Sequence, residues 1–293
     1  MPKQGLNAPR ERMLPLLAAL TTVVLWASAF IGIRSAGNDF SPGSLALGRL
    51  LVGSIALGTL VLVRREQRPP RRAVPLIVLC GLVWFALYNV ALNAAEQRVD
   101  AGTAAMLVGV GPILIAILAG LLLHEGFPRR LFTGCAIAVA GVAMIGLGST
   151  GTGRSSSEGA ILCLLAAAAY AGGVVIQKVI LRTVSPLQTT FLCCVVGAAA
   201  CLPFAPRLAD DLLAAPPSAI GWIVYLGVFP TAIAFTTWAY ALARTSAGRL
   251  GAATYLVPPL AVLFGWVWLG EVPATLALAG GALCLAGVAA SRR

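Results

Sequence analysis

The chain carries one histidine, His124, with ten acids and seven cysteines spread over 293 residues. Acid–base or nucleophilic catalysis needs a nucleophile, a base and an orienting group within reach of one another. Metal binding needs clustered Cys, His or carboxylate ligands. Cys80, Cys135, Cys163, Cys193, Cys194, Cys201 and Cys284 all fall inside apolar stretches, with no CxxC or Cys/His grouping. They read as small buried hydrophobes. No metal and no cofactor are expected, and an integral membrane enzyme is a remote alternative.

The chemistry on offer lies in polar and aromatic side chains set into apolar surroundings. Ser28, Asn89, Asn93, Gln177, Thr231, Thr236 and Thr237 are of this kind. Such groups are costly in lipid and face a cavity or another helix. Asn89 and Asn93, four apart, share a helix face. Trp26, Phe30, Trp84, Phe85, Tyr88, Tyr170, Phe235, Trp238, Tyr240 and Tyr255 could form an amphipathic wall for a ligand with an apolar part and a polar head. Helix packing or anchoring at the membrane boundary is the plainer reading of such rings, and Trp222, Trp266 and Trp268 are assigned to it. Arg49 is the one charge well inside an apolar stretch. It could capture a carboxylate or phosphate, or bond helix carbonyls and snorkel outward; the structural role is favoured. Pro112, Pro230, Pro258 and Pro259 interrupt apolar stretches and are candidate hinges or kinks.

The elements that must position these groups follow from composition. The chain is 59% hydrophobic and 11% charged, with a mean hydropathy of +0.92, where a soluble domain carries roughly 25% charge. A bilayer core about 30 Å thick needs about 20 apolar residues per helix. Ten stretches qualify, near 14–34, 41–63, 73–95, 101–123, 130–148, 159–181, 185–205, 219–243, 248–270 and 274–291. The first is expected to be a retained span, not a signal peptide. With the N-terminus inside, sixteen of the 21 basic residues, including the run Arg64 to Arg72, face the cytoplasm. Four, Arg34, Arg98, Arg154 and Arg207, face outward. This bias predicts cytoplasmic termini. Basic residues so scattered between spans exclude a nucleic-acid partner despite the net charge of +11.

The sequence repeats itself. At a shift of 146, Gly81 meets Gly227, Arg98 meets Arg244, Ala101-Gly102 meets Ala247-Gly248, Pro112 meets Pro258, and Glu125 meets Glu271. At a shift of 144, Ser41-Pro42 meets Ser185-Pro186 and Gly53 meets Gly197. Two five-span halves, residues 13–148 and 158–291, would enter the membrane in opposite senses, because five is odd. Inverted repeats are the architecture of secondary transporters, with the substrate at the repeat interface near the midplane. The acids all lie away from span centres, so no buried proton relay is visible. Gly134/Gly141 and Gly280/Gly287 give the fifth and tenth spans a small-residue stripe for close packing, within a monomer or against a second copy in a homodimer.

Trp26-Ala27-Ser28-Ala29-Phe30 in the first span is similar to the Trp-Gly-x-x-Phe start of the EamA domain. The segments from Pro112 to Leu123-His124-Glu125 and from Pro258 to Leu269-Gly270-Glu271 are similar to its fourth helix. The chain thus resembles the EamA branch of the drug/metabolite transporter superfamily, over residues 13–291. The resemblance implies an all-α membrane protein, a basket of ten transmembrane helices in two inverted repeats around a central cavity. Helices one, three and four of each half would line that cavity, here spans 1, 3, 4, 6, 8 and 9. The substrate-binding candidates are then Trp26, Ser28, Phe30, Trp84, Tyr88, Asn89, Tyr170, Gln177, Trp238 and Tyr255. The implied function is export of small metabolites across a bacterial cytoplasmic membrane, amino acids foremost and aromatic ones among them. A multidrug or nucleotide-sugar carrier is the alternative.

Overall fold

The computed structural model of the protein describes residues 8–98, 104, 107–148, 157–270 and 274–292, and their regular structure is all helical. In chain order the helices are α1 (Ala8–Ala36), α2 (Pro42–Arg64), α3 (Arg71–Glu96), α4 (Gly111–Leu122) and α5 (Arg129–Gly148). There follow α6 (Ser157–Ile180), α7 (Pro186–Ala200), α8 (Pro217–Arg244), α9 (Ala247–Trp268) and α10 (Thr275–Arg292). Against the expected ten spans, six helices among the described residues (α1, α2, α3, α6, α8 and α9) are long and apolar enough to cross a bilayer. Helix α7 with Leu202–Ala214, bent by 51°, makes a seventh if counted as one span. The apolar helices Gly111–Leu122 and Leu278–Ser291 are shorter. Residues 101–103 and 105–106, expected to begin the fourth span, lie outside the described residues, as does Glu271.

Local sequence explains the helix starts. Ser41 and Ser185 are N-caps whose hydroxyls accept from the backbone N–H of Ser44 and Gln188. Each is followed by a proline in the first turn, where its missing N–H costs nothing. Pro112 and Pro258 also stand in the first turn of a helix, Pro112 after a turn at Gly109-Val110 and Pro258 after a 3-10 turn at Thr254–Leu256. The prolines expected to kink these helices therefore mark where each one restarts. The connector expected at 206–218 contains an amphipathic helix, Ala205–Ala214, with Leu208 and Asp211 buried.

The repeat reappears as geometry. Helix α3 widens into a π-helical segment at Gly81–Leu87 and α8 does the same at Gly227–Ile233, the positions paired by the 146-residue shift. π-Helical turns are rare and concentrate at functional sites. Each starts at a glycine pressed against the other half. A Cβ on Gly81 would lie 2.6 Å from Val196 Cβ, and one on Gly227 would lie 2.5 Å from Val52 Cβ. Val52 and Val196 are themselves equivalent at the 144-residue shift. Polar contacts are reciprocal too: the Ser41 N–H donates to Asp211 Oδ2 (3.0 Å), and the Ser185 hydroxyl donates to Glu66 Oε2 (2.7 Å).

Lipid tails are as apolar as leucine, so burial alone does not drive these helices together; close packing and hydrogen bonds do. Equivalent helices cross antiparallel at glycines. A Cβ on Gly134 would meet the Gly287 carbonyl at 2.6 Å, and one on Gly141 the Gly280 carbonyl at 2.6 Å, which locks α5 to α10. Gly53 approaches Cys194 and Gly58 approaches Phe191 between α2 and α7. In contrast α2 runs parallel to α8, with Gly48 at Ile223 and Val52 at Gly227. At the centre an aromatic and aliphatic core gathers residues of both halves.

Candidate functional site

A cavity lies between the halves. Its wall takes Trp26, Ala29, Phe30 and Ile33 from α1, Trp84, Tyr88 and Leu92 from α3, and Val108, Gly109 and Pro112 from the approach to α4. Tyr170 comes from α6, Phe235 from α8, and Thr254, Tyr255, Val257 and Pro258 from α9. Arg49 of α2 completes it. The contributions of α1 to α3 all come from one half of the bundle's thickness, the half where α1 ends and α2 begins. The rings leave a cavity of about 90 Å³, small beside the roughly 300–1,000 Å³ of ligand pockets. Admitting a ligand therefore requires the rings to separate.

Four rings of the wall form its floor, with Trp238 packed beneath them. Trp26 lies 5.0 Å from Trp238, 5.3 Å from Phe235, 6.1 Å from Tyr170 and 6.4 Å from Trp84, centroid to centroid. Trp26 and Tyr170 are repeat equivalents at the 144-residue shift, and they meet edge to face at 86°. Tilted and edge-to-face pairs of this kind are each worth about 0.5–1.5 kcal/mol beyond their area. Tyr88 packs 6.1 Å from Tyr170. The Tyr170 hydroxyl donates to Thr254 Oγ1 at 3.4 Å, and the Tyr255 hydroxyl has no hydrogen-bond partner among the described residues.

Arg49 changes its reading. Span 2 was expected to stand outside the wall, with Arg49 in a structural role. The structure places Arg49 in the wall at 4% exposure. Its Nε donates to Thr231 Oγ1 (3.1 Å), and that hydroxyl donates to the Leu226 carbonyl (2.8 Å). Pro230 has no N–H to offer the carbonyl four residues back, that of Leu226, and the helix widens there into its π-helical turn. The Thr231 hydroxyl adds a bond to the same carbonyl and keeps a lone pair for the arginine. The proline, read from sequence as a hinge, sits inside the π-helical segment of α8 and sets this relay.

Other candidates stand off the wall. Ser28 turns to α8, its hydroxyl 2.6 Å from that of Tyr225. Asn89 is 1% exposed and donates to the Phe85 carbonyl at 2.7 Å, inside the widened turn of α3. Gln177 is fully buried on α6. Trp238 backs Trp26 from behind, and Pro259 faces Gly281 of α10. Trp266 and Trp268 are exposed, which suits boundary anchors.

The far end of the bundle, where α4, α6 and α8 finish and α9 begins, is tied by two charges. Lys178 Nζ donates to the carbonyls of Leu242 (2.6 Å) and Thr245 (2.7 Å). The carboxylate of Glu125 accepts from the N–H groups of Ala247 (2.7 Å) and Gly248 (3.1 Å). A cation at the C-terminus of α8 and an anion at the N-terminus of α9 both match the helix dipoles. From sequence Glu125 stands out only as the repeat partner of Glu271, and Lys178 carries no signal beyond its charge.

With this arrangement in view, residues 13–147 and 157–292 each match the EamA-like transporter family. The chain belongs to that family. EamA-like proteins are transporters, so this is a multi-pass membrane protein with two repeats that acts on a small-molecule substrate. It is 38% identical over 273 residues to a probable terminal-alkyne amino-acid exporter of Streptantibioticus cattleyicolor, covering 92% of this chain and 91% of that one. It is 35% identical to the uncharacterized transporter YdfC of Bacillus subtilis, covering 90% and 86%. A crystal structure at 21% identity superposes with a TM-score of 0.77 over 94% of this EamA chain and 96% of its own, which shows a shared fold.

Proposed function

We propose that this protein is a secondary carrier that exports small metabolites, amino acids foremost, from a bacterial cell by alternating access. The observation that carries the proposal is a cavity walled by both repeats, ringed with aromatic faces and furnished with hydroxyls and one guanidinium. Such a wall suits a molecule with an apolar side chain and a charged head. The kinship to a protein named as an amino-acid exporter supports the same substrate class.

In this reading ten helices span the cytoplasmic membrane, five from each half, with both termini in the cytoplasm. The antiparallel crossing of equivalent helices, α2 with α7 and α5 with α10, supports halves of opposite sense. The end held by Lys178 and Glu125 is then cytoplasmic. The cavity leans away from it, which supports reading the Lys178 and Glu125 ties as a cytoplasmic closure. Inward opening requires these ties to part, while Ser41–Asp211 and Ser185–Glu66 join the halves at the two ends. A wall with a single cation and no acid fits a nucleotide sugar or a cationic drug less well.

The test is counterflow of labelled amino acids of several side-chain types in proteoliposomes. Saturable exchange inhibited by unlabelled substrate is expected. Folded protein that exchanged none of them would refute export of amino acids.

A further inference from the structure

We infer that Arg49 is the anchor for the substrate's carboxylate, an assignment that rests on the transport reading of the cavity. A guanidinium has five N–H donors. Among the described residues only Nε is engaged, by Thr231, and no acid lies within ion-pair distance of Arg49. The group is 4% exposed and borders the cavity. The field of Glu96 reaches Arg49 without a contact between them, and a buried charge that lacks a paired partner is expensive. The four remaining donors, on the two terminal nitrogens, form the fork that matches a carboxylate with two parallel hydrogen bonds.

The repeat shows that the fold does not need an arginine there. The 144-residue shift pairs Arg49 with Cys193, while the surroundings correspond: Val52 with Val196, and Gly53 with Gly197. Both sites pack against the π-helical turn of the opposite half, Gly53 on Gly227 and Thr231, Gly197 on Phe85. Cys193 meets its surroundings with a thiol directed at the Ile77 carbonyl. Close packing at this position is therefore satisfied by a small side chain. The arginine is an asymmetric addition on the side where the cavity opens between α1, α2 and α3. Thr231, fixed by Leu226, acts as a positioning residue that holds Nε and leaves the fork free. The aromatic floor receives the apolar remainder of the ligand.

The probes are phenylalanine and phenylalaninamide, which differ at the carboxylate alone. Counterflow in proteoliposomes measures transport, and quenching of intrinsic tryptophan emission in detergent measures binding. The wild type should favour the acid over the amide by about 10- to 150-fold in half-saturating concentration, the range for a hydrogen bond to a charged partner. Arg49→Gln should erase that preference, weakening the acid at least ten times more than the amide, and Arg49→Lys should restore part of it. A purely structural arginine would weaken both probes together, and that result, or a wild type that takes acid and amide equally, overturns the assignment. The wild-type comparison stands even if the variants fail to fold. Acid-selective quenching without flux would keep the anchor and overturn transport; neither quenching nor flux would overturn both.

Discussion

Glu125→Gln isolates the closure at one end of the bundle. The carboxylate accepts two backbone N–H groups, at 2.7 and 3.1 Å, from the first residues of α9. Hydrogen bonds to a charged group are worth about 1.5–3 kcal/mol each, and neutral ones about 0.5–1.5. Glu125 is half-buried, so the low end applies. Glutamine keeps one neutral bond from its amide oxygen and loses the charge. The net loss is about 2 kcal/mol, or a ~30-fold shift of the closed–open balance at that face. The assay is the rate at which an impermeant maleimide, applied from the Glu125 side of oriented vesicles, labels a cysteine at Ala29 in the cavity wall. The native cysteines are all buried, which keeps the background low. The rate should rise about 30-fold, and Glu125→Asp, which keeps the charge, should lie between. An unchanged rate together with an unchanged melting temperature would show that these bonds hold nothing shut.

Other substitutions test the remaining joints. Gly173→Val sets a branched side chain where a Cβ already lies 2.4 Å from Trp84 Cβ; overpacking of about 1–3 kcal/mol should lower the melting temperature and abolish flux. Thr231→Val leaves Arg49 Nε without its partner, costing about 1–3 kcal/mol in thermal unfolding and raising the half-saturating concentration for the acid probe more than for the amide. Gly141→Leu should separate α5 from α10 and lower the melting temperature, since a Cβ there already meets backbone at 2.6 Å. Cysteines placed at Arg68 and Asp210 should be labelled from opposite sides of the membrane; labelling from one common side would refute the inverted halves.

Much of this architecture is legible in the chain itself. A sequence this poor in charge has lipid for its solvent, and in lipid only helices and closed barrels satisfy the backbone. The repeat is visible as paired Gly, Pro, Glu and Ser positions, and several of those pairs mark real joints: Gly81 with Gly227, and Ser41 with Ser185. The aromatic residues of the floor were also nameable in advance, because they stand on helices that the family resemblance turns inward.

Which polar groups meet the cavity was not legible. Helical periodicity tells which residues share a face, but hydrophobicity cannot tell a lipid-facing side from a packed one when lipid and core are equally apolar. So Asn89, Ser28 and Gln177 looked like wall residues, yet the packed helices turn them elsewhere. Arg49 looked structural because its helix was expected outside the wall. Only packing α2 beside the π-helical turn of α8 brings residue 49 to Thr231, 182 positions away. The same holds for Glu125 and the start of α9. Sequence determined the helices, their solvent and their duplication, since those follow from local composition and pattern. The tertiary structure alone decided where charge is placed, because a charge in lipid is positioned by the neighbours that solvate it, and those neighbours stand far along the chain: Thr231 for Arg49, Ala247 for Glu125 and Leu242 for Lys178.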